Sequence, residues 1–148
     1  MFKHILVPTD GSKLSAKAVK TAAKLAKQIG ARVTGVYVIP PYVPPMYGEA
    51  AIYVPEISPK RYKDLSEKEA KKALSVVEIE CKTAGVPCKV AWVTAGQAWE
   101  GIVKQAKSKK ADLIVMASHG RRGLSGLLLG SETTKVLTHS RFPVLVCR

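Results

Sequence analysis

The chain has 148 residues, 47% hydrophobic and 24% charged, proportions that fit a globular protein with its own core and exclude a disordered or fibrous one. The 24 basic residues against 11 acidic ones give a formal charge of +13, which raises a polyanionic partner as a question. No apolar run approaches the roughly 18 residues of a membrane span, MFKHILVPTDGS is too short in its apolar part for a secretory signal, and Cys81, Cys88 and Cys147 follow no metal-ligand spacing, so reduced thiols and a cytoplasmic setting away from membranes are expected.

HILVPT (4–9) is a continuous apolar run closed by Pro8 and Asp10, as in a buried parallel strand. Residues 12–29 follow as an amphipathic helix. Leu14, Ala18, Ala22, Leu25 and Ile29 form one face, and Lys13, Lys17, Lys20, Lys24 and Lys27 form the other at steps of 4, 3, 4 and 3. Ser12 can cap its start and Gly30 ends it. RVTGVYVI (32–39) is a second strand. Residues 40–58 hold five prolines and three tyrosines without clear periodicity. Such a stretch is either a lid or docking segment or a surface excursion stiffened by proline; nothing in it specifies a ligand, which favours the second.

A long helix is predicted over about 59–84, closed by Gly85, then a strand CKVAWVT (88–94) and a helix over 97–108 that turns Trp99, Ile102, Val103 and Ala106 inward. DLIVMA (112–117) is a fourth strand, a last helix starts near Ser131, and FPVLVC (142–147) is a fifth strand. Alternation of this kind predicts one α/β domain over residues 1–148, an open parallel sheet with helices on both faces. Ligands in such sheets sit at the carboxyl ends of strands where the strand order reverses.

ASHGRRGLSGLLLGSETT (117–134) follows the fourth strand and carries four glycines among its hydroxyls. Gly130 and Ser131 open a helix whose first turn holds Thr133 and Thr134; unpaired N–H groups and the positive end of the dipole make that position an anion site. Gly120 would let a phosphate approach, and Ser131 and Thr133 could donate to it. The same residues also suit an ordinary cap and turn, as Asp10 does just before GSKLS. There is no P-loop, no GxGxxG, no metal cluster and no nucleophile–His–Asp set, so neither catalytic nor metal-ligating residues are assigned and a dedicated hydrolase is not expected. The lysines are spread along the chain, mix with acids in LSEKEAKKA and lack interleaved aromatics, which favours a solvated surface over a nucleic-acid interface.

The segments KHILVPTDGSKLSAKAVKTAAKLAKQIGARVTGVYVI and ADLIVMASHGRRGLSGLLLGSETTKVLTHSRFPVLVCR resemble the universal stress protein family. The likeness extends over nearly the whole chain and is weakest between residues 40 and 58. It implies an adenine nucleotide alpha hydrolase-like fold with a sheet of order 3-2-1-4-5, a homodimer joined through the last strand, Phe142 to Cys147, and two branches, one of which binds ATP. ATP-binding members carry Gly-x2-Gly-x9-Gly-[Ser/Thr]; this chain reads Ala117-x2-Gly120-x9-Gly130-Ser131, with alanine at the first position.

Carried over residue by residue, the resemblance puts Pro8, Thr9 and Asp10 beside the nucleoside, with Asp10 bonding ribose or base. Val38 meets the adenine, Met116 and Ala117 line the nucleoside pocket, and Gly120, Gly130, Ser131 and Thr133 surround the phosphates. His119 lies inside the motif as an orienting rather than catalytic residue. Glu132 suits the helix dipole but sits near the phosphates, where Arg121 and Arg122 could offset its charge. The expectation is a stress-response protein binding ATP, with or without Mg²⁺, with at most slow turnover and with protein partners unspecified. Two alternatives stay open: a family member whose pocket is empty and which acts through protein contacts, favoured by Ala117 and Glu132, and a basic nucleic-acid-associated protein.

Overall fold

The computed structural model describes residues 1–44, 57–120 and 129–148. Its elements run β1 (His4–Pro8), α1 (Lys13–Ile29), β2 (Arg32–Ile39), α2 (Pro59–Ala84), β3 (Cys88–Thr94), α3 (Ala98–Ser108), β4 (Leu113–Ala117), α4 (Ser131–His139) and β5 (Val144–Cys147). The strands pair in parallel in the order β3-β2-β1-β4-β5, the order the resemblance implies.

Two-sided burial explains why the central strands are unbroken apolar runs. Ile5 and Val7 of β1, with Leu113 and Val115 of β4, pack into a core beneath α1 and α2. Their neighbours Leu6, Ile114 and Met116 point the other way, into a core shared with Ile102 and Ala106 of α3 and Val136 of α4. Ser12 caps α1 by accepting from the Ser15 N–H at 3.1 Å, and Ser58 caps α2 in the same way from Arg61, with Pro59 in the first turn. The fifth strand starts at Val144, two residues later than expected. Pro143 has no N–H for the ladder, although its carbonyl still accepts from Ile114, and Phe142 packs against the α3–α4 core.

The proline-rich connection is tied at both described flanks: the Tyr42 hydroxyl donates to the Ile57 carbonyl, Tyr62 donates to Pro40, and the two rings stand 5.5 Å apart. Residues 45–56, where the choice between lid and excursion lies, are outside the described residues. Cys81, Cys88 and Cys147 are free thiols. No helix among the described residues is long and apolar enough to cross a membrane.

At the amino end of the sheet, His4 is 5% exposed. Arg32 can only donate, so its 3.1 Å contact makes His4 Nδ1 an acceptor, and Nε2–H therefore donates to Thr34 Oγ1 at 2.7 Å. Burial, helped by the Arg32 charge, pushes the imidazole below its ordinary value of 6.5. Above that value both folded and unfolded chains hold it neutral and its contribution to stability is complete. As pH falls below 6.5 the unfolded chain protonates first, so stability drops until the lowered folded value is reached, by about 1.4 kcal/mol per pK unit of depression. Urea midpoints measured at pH 7.5 and 5.5 are expected to fall toward acid, and to fall less in His4→Gln.

Candidate functional site

Because β1 lies between β2 and β4, the chain leaves β1 toward one face of the sheet and returns on the other, and the carboxyl ends of these strands part around a cavity of about 500 Å³. All twelve residues named above line it. Pro8, Thr9 and Asp10 come from the end of β1 and Val38 from β2. Met116, Ala117, His119 and Gly120 come from β4 and its exit, and Gly130, Ser131, Glu132 and Thr133 from the start of α4. The structure adds Ser15, Val36, Tyr37, Pro40, Ala98 and Ile102. The two α3 residues carry no motif; only the inward face of α3 hints at Ile102.

The β1 wall is built from short hydroxyl and carboxylate bonds. Thr9 N–H extends the ladder to Val36 at 2.9 Å, while its buried hydroxyl pairs with Ser15 Oγ at 3.0 Å and accepts from Gly11 N–H at 3.2 Å. Asp10 Oδ1 accepts from Ser12 N–H at 2.9 Å, so the carboxylate shapes the turn into α1 while Ser12 is the cap. Its Oδ2 faces Gly120 so closely that a Cβ at residue 120 would lie 2.6 Å away. Glycine there is a matter of space, and it brings the two cavity walls together.

On the opposite wall, α4 starts with Gly130 as its N-cap and no side-chain cap. Gly130 N–H donates to the Ser118 carbonyl at 2.7 Å, and a Cβ at 130 would lie 2.9 Å from His119 Cα. The N–H groups that follow, from Ser131 to Thr133, belong to the turn whose backbone donors lack intrahelical partners. An uncapped helix start on a cavity is suited to an anion. Ser118 Oγ lies 3.1 Å from His119 Nδ1 and orients that ring.

Thr133 departs from its expected role. It is 2% exposed and donates its hydroxyl to the Ala117 carbonyl at 2.9 Å, so this proton holds α4 onto β4 instead of pointing at a ligand. Ala117 itself is ordinary strand: Lys110 is the one non-glycine with positive φ among the described residues, so the alanine adds a methyl without backbone strain.

Glu132 is the second departure. Its Oε2 accepts the Trp99 N–H of α3 at 2.8 Å, and Oε1 lies 3.4 Å from Lys135 Nζ. α3 has no side-chain cap of its own, since Gln97 Oε1 instead receives Lys135 Nζ at 2.6 Å and Trp99 Nε1 at 3.1 Å. The acid expected to crowd the phosphates thus caps a neighbouring helix 33 residues away in sequence. Arg121 and Arg122, assigned to offset it, lie outside the described residues. No group of three His, Cys, Asp or Glu side chains comes together among the described residues.

Fold and site together define an open, doubly wound α/β protein with a cleft at the point where the strand order reverses. Residues 1–148 match the sequence profile of the universal stress protein family. The chain belongs to that family. It is similar to universal stress protein MJ0531 of Methanocaldococcus jannaschii, 37% identical over 148 residues that make up all of this chain and 83% of that one. It is likewise similar to universal stress protein YxiE of Bacillus subtilis, 35% identical with both chains fully covered. Among solved structures, M. jannaschii protein MJ0577 superposes with a TM-score of 0.73 at 30% identity, covering 99% of this chain and 96% of that one. A universal stress protein in complex with cAMP superposes at 0.71 and 25% identity, covering 99% and 97%.

Replacing Glu132 by Ala removes the shared cap of α3 and is expected to cost about 1 kcal/mol. Trp99 emission should shift with it, because its ring sits 4.8 Å from His139 beside the lost bond. Urea unfolding followed by tryptophan fluorescence reads both effects, and Glu132→Gln, which can still accept from Trp99, should recover most of the loss.

Proposed function

We propose that this chain binds ATP in the cleft and acts as a nucleotide-dependent regulatory protein of the stress response, with binding favoured over turnover. The observation that carries the reading is the uncapped start of α4 opening onto the cavity beside the Asp10–Gly120 contact. Further support comes from the apolar side of the cleft, where Pro8, Val38, Ile102 and Met116 offer a surface to a base. Support also comes from the backbone at Ala117, which needs no positive φ, and the cAMP complex of a relative is consistent with an adenine nucleotide here. Mg²⁺, which favours phosphate oxygens and water, would enter with the nucleotide and not through a protein cage. Turnover is slow in this reading because Asp10 is committed to the turn at Ser12 and His119 to Ser118, so neither is set as a general base for water.

Heat denaturation of protein purified without added nucleotide should release adenine nucleotide detectable by chromatography, or, if it was purified empty, the protein should bind Mg-ATP saturably at both low and high salt. Gly120→Ala is the discriminating variant. Its new methyl displaces only the end of the Asp10 side chain, so unfolding should change by less than about 1 kcal/mol, while nucleotide affinity falls tenfold or more. No adenine-specific binding by the wild-type protein would leave the reading in which the family fold acts through protein contacts alone.

The same proposal includes a homodimer. β5 pairs with β4 on one side and ends the sheet, and Leu145 is 40% exposed, an arrangement that a twofold partner would cover. Light scattering should find a dimer of 16.0 kDa subunits, and Leu145→Lys should shift it to monomer without unfolding it.

A further inference from the structure

The fold gathers part of the positive charge into a single track, independent of the nucleotide cleft. Lys13, Lys17, Lys20, Lys24 and Lys27 are all exposed on α1, and that helix contains no acidic residue. Steps of 4, 3, 4 and 3 keep them within about 80° of one another around the axis, over a rise of about 21 Å. At the far end, Lys27 meets Lys3 and Arg32 around a groove of about 460 Å³ between the ends of α1 and α2. Arg32 is held in place there by its bond to His4. Among the described residues none of the five α1 lysines forms an ion pair, while at the far end the Asp112 carboxylate accepts from the Lys3 and His4 N–H groups.

From this geometry we infer that the α1 track is a docking surface for the phosphate backbone of a duplex nucleic acid, bound without regard to sequence. A rise of about 21 Å spans roughly six phosphates of one strand at 3.4 Å each, comparable with the number of cations facing them. Besides lysine, the exposed face of α1 offers only Thr21 and Gln28, with no aromatic to stack on an unpaired base and no apolar anchor of the kind protein interfaces use. The apolar face of this helix is turned to the sheet and is not offered to a bilayer, with Leu14, Leu25 and Ile29 half-buried beside it. Its apolar residues Ala18, Val19, Ala22, Ala23 and Ala26 are buried against the sheet. The spacing that places these lysines on one helix face is kept exposed by the fold, and the lack of aromatics selects backbone contact over base contact.

The test is fluorescence anisotropy with a labelled 24-base-pair DNA duplex of mixed sequence, titrated between 50 and 200 mM KCl. Wild-type protein should bind with a log K against log [salt] slope of about −4 to −6, equally for a second unrelated duplex. The triple variant Lys17→Gln, Lys20→Gln, Lys24→Gln should bind with a slope shallower by about 3. A charge-matched triple on α2, Lys63→Gln, Lys68→Gln, Lys72→Gln, should match the wild type. Equal weakening by the two triples would overturn the track in favour of net charge alone. So would absence of duplex binding at 50 mM KCl, or α1-dependent binding to phosphatidylserine vesicles without binding to the duplex.

Discussion

Placing β1 between β2 and β4, with every strand parallel, forces the connections that follow β1 and β4 onto opposite faces of the sheet. Their starts then separate at the carboxyl edge, and a gap opens between them. The cavity, the entry of α1 through Asp10 and Ser12, and the entry of α4 through Gly130 all follow from that one constraint. The central strands also have to be apolar on both sides, because each alternate residue enters a different core. Stability and cleft therefore have a common origin in the topology.

The walls of the cleft are held by bonds that look, in isolation, like ligand contacts. Thr9, Ser15 and Thr133 carry hydroxyls at the site, yet each is used to join the elements that form it. Glu132 is the clearest case. A carboxylate in the first turn of α4 is stabilised by that helix's dipole, but its nearest strong donor belongs to α3, so it couples the two helices that flank the cleft. Backbone N–H groups, which cannot be repositioned by rotamer changes, and the exposed Ser131 are then the polar groups at the start of α4 that face the cleft. A site built that way is organised before a ligand arrives and requires little ordering to bind.

Charge divides along the same geometry. The described acids of the cleft, Asp10 and Glu132, are engaged in turn and cap, whereas α1 carries an unbroken line of exposed lysines away from it. A strongly cationic protein need not have a cationic binding pocket. The two features differ in their physics: fixed backbone dipoles at short range in the cleft, and a screened field of exposed charge along the helix.

Much of this architecture is legible without coordinates. Unbroken apolar runs identify the strands, and Ser12, Gly30 and Gly85 mark ends of the first two helices, because these signals act over a few residues; the Ser58 cap is seen only in the structure. The family resemblance reaches further and names the twelve residues that the cavity gathers. Tertiary structure alone decided that Thr133 bonds Ala117, that Glu132 caps α3, that Ala98 and Ile102 wall the cleft, and that Lys3 and Arg32 extend the α1 track. The reason is range. Caps, turns and periodicity depend on neighbours along the chain, whereas the partner of a side chain such as Glu132 is chosen by which unsatisfied group the packed helices bring within hydrogen-bonding distance.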